Sequence, residues 1–395
     1  MPQHARFART LAARMICGAA LAVPMVPALA ADMPDVKLNW GGYAKLAVLF
    51  SHFQDGAVAQ GTGRDFYVPT QIPVVAPGGT ATSHNYLDTQ AKETRLFLKG
   101  DTLVEGHKVG GYAEMDFLAG VVSGNETATN AYNPALRRAY ITVDNWLVGQ
   151  DWSTFQNVAA LPEGVDYVGP TDGTVFVRQP LVRYTYGGLQ VALENPETTV
   201  AAKAGATFSN ADDNSVPDLV VRYNLKLDAG DFSVAALARQ LTDHGSVNGG
   251  NATTAGFGGS IAGKIPVAAH DDVRFMVSGG SGIGRYLAVN TVGDAVADAS
   301  GGLVKSKLVN GYVAYHHVWD DQWRSNFAVS TLHASKNANY GGKVTRTASS
   351  ASANLLYSPF TRFTLGAELR YAKRETMDDS KGSLSRLEMM AKYDF

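Results

Sequence analysis

The chain has 395 residues, of which 45% are hydrophobic and 18% are charged, and its formal net charge is −2. This slightly acidic balance disfavours a nucleic-acid-binding protein, since such proteins are normally basic. The single cysteine, Cys17, excludes a disulfide framework and leaves no second thiolate for a metal site.

The N-terminus has the three parts of a secretory signal peptide. Three arginines precede an apolar stretch over residues 15–26, and Ala28 and Ala30 form a small-residue cleavage site. The apolar stretch is shorter than the roughly 20 residues that a membrane-spanning helix needs. The sequence therefore predicts a cleavable signal peptide over residues 1–30 and one domain over residues 31–395.

Period-2 alternation of apolar and polar residues dominates that domain and predicts β-strands. The last strand is the clearest, because Leu387, Met389 and Ala391 share one face while Arg386 and Glu388 share the other. Sixteen such segments can be counted, an even number as bacterial barrels require. They are residues 38–53, 92–103, 107–118, 135–144, 146–151, 175–186, 189–195, 218–228, 231–242, 255–265, 271–288, 307–319, 322–334, 346–357, 361–373 and 384–395.

The charged faces of these strands require a water-filled interior. An Arg or Lys that faces lipid near the bilayer midplane costs about 2–4 kcal/mol, so the charged faces must line a lumen. The connections alternate in length, as when Gly187-Gly188 is followed by residues 196–217. Short turns on one side and long loops on the other are typical of outer-membrane barrels. The sequence thus predicts an all-β, transmembrane antiparallel barrel of about 16 strands in the cell outer membrane.

Basic residues outnumber acidic ones on the predicted lumen face. The basic positions are Lys45, Arg95, Lys99, Lys108, Arg138, Arg183, Arg222, Lys226, Arg239, Arg274, Arg324, Arg362, Arg370 and Arg386, and the acidic positions are Asp101, Glu114, Asp116, Glu368 and Glu388. A pore lined by Arg and Lys favours anions. The alternative interpretation is that these side chains only keep a wet lumen polar.

The long segment after the fifth strand, residues 152–174, is the third surface loop. It carries Glu163 and Asp166 between Pro and Gly residues. Loops of large barrels can fold inward and narrow the channel, and acids on such a loop would set a transverse field against a basic wall. We therefore predict an inward-folded third loop; an ordinary surface loop is the alternative.

Arginines flank this loop on both sides, and their guanidinium forks can bind carboxylates bidentately. The substrate path and constriction are predicted at Arg95, Arg137, Arg138, Arg178, Arg183, Arg222, Glu163 and Asp166. The alternative is that these arginines pair with Asp166 or Glu163 and hold the loop down.

No group of residues predicts an enzyme. Residues 280–284 resemble a glycine-rich phosphate loop, but the sequence predicts no helix after them. His316 and His317 are adjacent on a strand and point to opposite faces, which is wrong for joint metal ligation. The sequence therefore predicts no catalytic residue, no metal site and no cofactor.

Six motifs carry a family resemblance, at residues 42–45, 111–117, 136–140, 149–155, 166–170 and 178–184, and the terminal Phe395 is similar to that of outer-membrane barrels in general. These motifs resemble those of the DcaP-like porins, a family of trimeric, substrate-preferring outer-membrane porins of Gram-negative bacteria. The resemblance implies a trimeric sixteen-stranded channel for small organic anions, notably dicarboxylates. It also implies that Arg138, Arg178 and Arg183 belong to the binding path.

Together these features predict passive uptake of small organic anions through a basic lumen, with dicarboxylates as the class that the resemblance implies. The expected partners are small anionic solutes, outer-membrane lipid and further copies of the chain in a homotrimer, with no nucleic acid. Two alternatives stay open: a non-specific diffusion porin, and an outer-membrane barrel that works as an enzyme or adhesin.

Overall fold

The computed structural model describes residues 36–118, 130–245, 247 and 249–395, and its architecture is all-β. The predicted signal peptide over residues 1–30 lies outside the described residues. Among the residues that are described, no helix is long and apolar enough to cross a membrane.

Sixteen antiparallel strands form one closed sheet in which each strand pairs with its neighbours in the sequence. Their bounds are β1 Lys37–Phe53, β2 His84–Gln90 with Arg95–Val104 (one strand in two parts), β3 His107–Asp116, β4 Ala135–Val143, β5 Trp146–Trp152, β6 Arg178–Tyr186, β7 Leu189–Glu194, β8 Asp218–Leu227, β9 Gly230–Asp243, β10 Ala252–Pro266, β11 Asp272–Ser281, β12 Lys307–Val318, β13 Trp323–Ala334, β14 Thr345–Tyr357, β15 Phe363–Thr376 and β16 Lys381–Asp394. The predicted barrel and its strand number are confirmed.

The first and last strands close the barrel. The segment of β1 from Tyr43 to Phe53 pairs with β16, and the other edge of β1 pairs with both parts of β2. Beyond the last strand, Phe395 N donates to Gly42 O at 3.0 Å and Gly42 N donates to Phe395 O at 3.3 Å. The sheet therefore closes through the two ends of the chain.

The second strand is longer than the sequence predicts. The alternation indicates residues 92–103, but β2 begins at His84 and is interrupted at residues 91–94. A turn forms there, in which Thr94 N donates to Ala91 O at 3.1 Å. The two parts of β2 pair with successive stretches of the same β1 edge, so the interruption leaves the barrel closed.

The eleventh strand is shorter than the sequence predicts. The alternation indicates residues 271–288, but β11 ends at Ser281. The next residue, Gly282, has a φ of +73°, which turns the chain out of the sheet. Residues 282–306 then form a long loop rather than an extension of the strand.

The alternation of faces is also confirmed. Outward-facing apolar side chains such as Ile141, Val329 and Leu369 are 60%, 60% and 63% exposed, as expected for a surface that meets lipid. Inward-facing charged side chains such as Glu114 and Arg386 are buried. The packed core of the molecule therefore lies inside the barrel.

Short turns join the strands at one end of the barrel, and longer loops join them at the other end at every connection but the last. The predicted long segment 374–383 is reduced to residues 377–380, because β15 and β16 extend into it. We call these the turn end and the loop end. The loops are numbered 1 to 8 and comprise residues 54–83, 117–134, 153–177, 195–217, 244–251, 282–306, 335–344 and 377–380. Loop 1 folds inward, because Tyr67 and Ile72 are fully buried against Phe53 and Leu384 of the wall.

Candidate functional site

Loop 3 crosses the lumen, which confirms the predicted inward fold. Its backbone carbonyls accept hydrogen bonds from widely separated strands. Tyr312 of β12 donates to Ala160 O at 2.8 Å, and Lys45 of β1 donates to Val165 O at 2.6 Å. Because β12 and β1 are far apart around the barrel, loop 3 divides the interior at this level.

The acidic side chains of loop 3 are held in different ways. Glu163 accepts two hydrogen bonds from Arg324 of β13, at 2.6 and 2.7 Å. Burial opposes ionisation, but these bonds and the charge of Arg324 lower the pKa of Glu163. Asp166 accepts the backbone N–H groups of Tyr67, Val168 and Gly169 at 2.8, 3.1 and 3.0 Å, so it joins loop 1 to loop 3.

The far end of loop 3 is anchored by Asp172, which is fully buried. Its Oδ1 accepts hydrogen bonds from the hydroxyls of Ser330 and Ser350 at 2.6 and 2.8 Å. Burial raises the pKa of Asp172, and the two serine hydroxyls act against that rise. Here loop 3 rests directly on β13 and β14.

Arg95 and Arg137 share one carboxylate on the wall. Arg95 Nη2 donates to Asp116 Oδ2 at 2.9 Å, and Arg137 Nε donates to Asp116 Oδ1 at 2.7 Å. Arg95 also lies 3.4 Å from Glu114 and donates to the hydroxyl of Tyr167 at 3.3 Å. The first pair of predicted site arginines is thus held in place by acids of the neighbouring strand β3.

Arg138 and Arg183 share a second carboxylate. Arg138 Nε and Arg183 Nη2 each donate to one oxygen of Asp151, both at 2.6 Å. These arginines therefore pair with a wall residue rather than with Asp166 or Glu163. Two guanidinium groups on one carboxylate leave the local charge positive.

Arg178 and Arg222 differ from the other four arginines. Within the described part of the chain, no carboxylate oxygen lies within 4.0 Å of either guanidinium group. Arg222 donates to the backbone oxygens of Thr154, at 3.3 Å, and Gln156. Arg178 stacks on the indole of Trp152, with 3.6 Å between its Cζ and the ring centroid.

A cavity of about 250 Å³ lies beside loop 3 and collects half of the predicted site residues. Its charged lining consists of Arg95, Arg178, Lys45, Lys392, Glu93, Glu163 and Asp166. Arg137, Arg138, Arg183 and Arg222 do not line it. Cations and acids thus face one cavity, as the predicted transverse field requires.

Sequence reasoning missed several contributors to this cavity. Lys45 was placed on the lumen face but not in the site, and neither Lys392 nor the rings of Trp152, Tyr167 and Phe176 were linked to it. The strand alternation shows only that both lysines face the lumen. Nothing in the sequence showed that loop 3 would bring Tyr167 within 5.7 Å of Arg95.

The arrangement can attract an anion and orient it. In the lining, Arg178 alone combines a positive charge with the lack of any hydrogen bond or ion pair to the described residues. Its planar group stacks on Trp152, whose ring contacts that of Phe176 at 5.0 Å between centroids. A solute carboxylate could therefore bind to it without displacing a protein partner. The described residues hold no cluster of three or more His, Cys, Asp or Glu suited to a metal ion.

Comparison with known proteins agrees with this architecture. The family model described as DcaP outer membrane protein matches residues 71–395. Among solved structures, the outer membrane channel DcaP of Acinetobacter baumannii is 24% identical, with a TM-score of 0.75 over 91% of this chain and 97% of that one. No curated protein matches the chain.

Two more distant structures share the fold. The anion-selective porin from Comamonas acidovorans is 12% identical, with a TM-score of 0.54 over 91% of this chain and 100% of that one. The trimer form of OmpT of Vibrio cholerae is 10% identical, with a TM-score of 0.54 over 91% and 99%. At these identities the likeness concerns the fold alone.

Proposed function

Because the chain belongs to the DcaP outer membrane protein family, we propose that it is a porin for passive uptake of small organic anions, with dicarboxylates as the preferred class. The path runs along the arginine-bearing wall and through the cavity beside loop 3. In this proposal the loop end faces the outside of the cell, and residues 1–30 direct export and are removed. The family and the fold favour a channel over an enzyme.

Arg178 is the observation that carries this proposal. A guanidinium group stacked on an indole is held in one plane, and its N–H donors keep the fork geometry that matches a carboxylate. The second arginine in the lining, Arg95 of β2, already binds Asp116 and Glu114. A second carboxylate of the same solute would meet Lys45 or Lys392 across the cavity.

Weak binding is essential to such a channel, because a solute must leave as well as enter. The acids in the cavity support this requirement. Glu163 and Asp166 line the same cavity as the arginines and repel a bound carboxylate. No cofactor is needed, since the solute moves down its own gradient.

The proposal is tested by single-channel recording of Arg178→Gln in a planar bilayer under a KCl gradient, with succinate added afterwards. We expect the wild type to show an anion-selective reversal potential and succinate-dependent block, and the variant to lose the block and shift its potential toward zero. Arg362→Gln is the matched control. The alternation places Arg362 on the lumen face, but the strand begins at Phe363 and Arg362 lies exposed in the preceding turn with a φ of +72°. An Arg178 variant that keeps the block would refute the proposed site.

A non-specific diffusion porin is the second candidate function, and one observation favours it. Four of the six site arginines bind Asp116 or Asp151, which reduces the charge available to a solute. Open conductance without selectivity or succinate block in the wild type would support this candidate. Absence of conductance would instead favour a barrel enzyme or an adhesin.

We also propose that the chain forms a homotrimer in outer-membrane lipid. Small outward-facing residues lie side by side on β2, β3 and β4: Gly100 pairs with Gly111, and Ala113 pairs with Ala139. Such a flat wall suits close contact between barrels, and OmpT of Vibrio cholerae has been solved in a trimer form. Gly111→Leu is expected to dissociate the trimer in unheated electrophoresis.

The matched control for the trimer is Gly259→Leu. Gly259 also faces outward, but on β10, and a Cβ there meets only Ala235 O at 3.7 Å. A Gly111 variant that migrates as wild type, or a Gly259 variant that dissociates equally, would place the contact elsewhere or show that the chain is monomeric.

A further inference from the structure

The inner wall of the barrel is not polar all the way round. On β8 to β14, inward-facing positions toward the loop end carry apolar side chains, such as Leu237, Met276 and Leu332, which are 2%, 0% and 0% exposed. In a water-filled channel, such inward-facing residues would be exposed to solvent. This half of the barrel interior therefore contains a hydrophobic core like that of a soluble domain.

Loops 4 and 6 supply the other side of this core. Ile283, Tyr286, Leu287 and Val296 of loop 6 are each at most 1% exposed and pack in one cluster with the wall residues. Loop 3 contributes Phe155 to the same cluster. We call residues 195–217 and 282–306 the plug.

Backbone pairing makes the plug a folded unit. Thr199–Ala201 of loop 4 pairs in parallel with Ala295–Ala297 of loop 6, and Ser209–Asn210 and Leu303–Lys305 complete a four-stranded sheet. The plug is also joined to loop 3, because Ala288 N donates to Thr174 O at 2.9 Å.

Ion pairs fasten the plug to the wall. Arg239 of β9 lies 2.8 Å from Asp294 of loop 6 and 3.3 Å from Asp218 of β8, and all three side chains are fully buried. Asp218 also accepts the hydroxyl of Tyr286 at 2.7 Å and lies 3.2 Å from Arg285. Two arginines and two aspartates cancel in charge, as a buried network requires. The strand alternation places Arg239 on the lumen face, but the plug covers its side chain.

The wall on the other side of loop 3 is charged and polar rather than apolar. From β2 to β6 it carries the paired arginines, with Lys99, Tyr112 and Tyr140 facing inward among them. A hydrated ion that entered the apolar half would have to lose water without gaining a partner, whereas the arginine-bearing side offers partners throughout.

We propose that the plug permanently closes the half of the lumen bounded by β8 to β14, so that solutes pass only along the arginine-bearing wall and the adjoining strands β1 and β16, which line the cavity beside loop 3. Arg239 is the positioning residue that fastens it. The plug forces every solute past the arginine-bearing wall, although the plug itself binds no solute. This inference rests on the chain being a channel and does not depend on which anion is preferred.

The direct test uses single cysteines, since the one cysteine of the chain, Cys17, lies in the proposed signal peptide and is lost on export. Leu237→Cys and Tyr140→Cys are placed on opposite walls and treated with a charged, water-soluble thiol reagent, and modification is read by mass spectrometry. We expect Tyr140→Cys to be modified in the folded protein and Leu237→Cys to be modified only after unfolding. Modification of both at comparable rates in the folded protein would overturn the proposal.

A second variant, Arg239→Met, tests the fastening. Freeing the plug opens a path that lacks the arginine wall, so conductance is expected to rise and the reversal potential to shift toward zero. Arg346→Met is the matched control, because Arg346 also bridges two acids at the loop end, Glu375 and Asp379, but lies outside the plug. An Arg239 variant with lower thermal stability but wild-type conductance and selectivity would show that this residue is only structural.

If Arg178→Gln leaves selectivity unchanged while Leu237→Cys stays protected, the proposed anion site fails and the plug stands. If Leu237→Cys reacts while Arg178→Gln abolishes block, the plug fails and the anion site stands. The two proposals are thus tested separately.

Discussion

Replacing Ser330 with Ala should loosen loop 3 from the wall. The Ser330 hydroxyl donates to Asp172 at 2.6 Å, and Asp172 has no exposed surface. A hydrogen bond to a charged group contributes about 1.5–3 kcal/mol. The remaining donor, Ser350 at 2.8 Å, keeps the carboxylate partly satisfied, so the loss should lie within that range.

This free energy translates directly into the population of a detached loop. Each 1.4 kcal/mol changes an equilibrium by about tenfold, so Ser330→Ala should raise the fraction of time spent with loop 3 detached by roughly 10- to 100-fold. Removing both hydroxyls in Ser330→Ala/Ser350→Ala leaves a buried, unpaired carboxylate and should cost about 3–5 kcal/mol. A detached loop 3 widens the lumen and should produce brief sojourns at higher conductance.

Single-channel recording measures these sojourns, as the fraction of time in the higher-conductance state at fixed voltage. Ser349→Ala is the control, because Ser349 lies on the same strand as Ser350 but on the opposite face. If Ser330→Ala and the double variant both show the wild-type dwell times, Asp172 does not hold loop 3 and the reasoning is refuted.

Three further outcomes follow from the geometry. Gly149→Ala should lower the urea midpoint of unfolding, because Gly149 has a φ of +136° and a Cβ would lie 2.3 Å from a backbone oxygen. Gly259→Ala should leave the midpoint unchanged, because a Cβ there meets only Ala235 O at 3.7 Å. Arg183→Gln should weaken anion selectivity. Adding Asp151→Asn to it should restore part of the selectivity, because this removes the acid that Arg183 neutralises. Equal selectivity in the wild type and both variants would argue against a role for this pair. Burial raises the pKa of Asp172, so docking of loop 3 should be strongest at a pH below the ordinary carboxylic pKa. Docking should then weaken as the pH rises through the raised pKa. Single-channel recordings of Asp172→Asn should lose this pH dependence.

The barrel could be predicted because lipid and water impose a strict two-residue period. Strands such as β16, with Leu387 and Met389 opposite Arg386 and Glu388, leave no other fold that satisfies both solvents. The first part of β2 was missed because its outward face carries Asn85 as well as Leu87, so the alternation is weak there.

The site was only partly predictable, because the alternation along a strand fixes which face of the sheet a side chain lies on but not which residue it contacts. The sequence indicated that Arg183 and Arg239 both face inward, yet Arg183 reaches Asp151 on the arginine-bearing wall whereas Arg239 is sealed beneath loop 6. Similarly, Glu163 pairs with Arg324, a contact between a loop and a strand far along the chain. Such partners depend on where the long loops fold, and loop positions carry no periodic signal.

Closure through the two ends of the chain has a consequence for biogenesis. β1 cannot complete its pairing until β16 has been synthesised, because these strands lie at opposite ends of the polypeptide. Contacts of such high sequence separation form slowly. A product that stopped before β16 would present open edges on β1 and β15, which are templates for aggregation. The barrel therefore cannot close before the last residues of the chain are present, and a chain without β16 keeps both open edges.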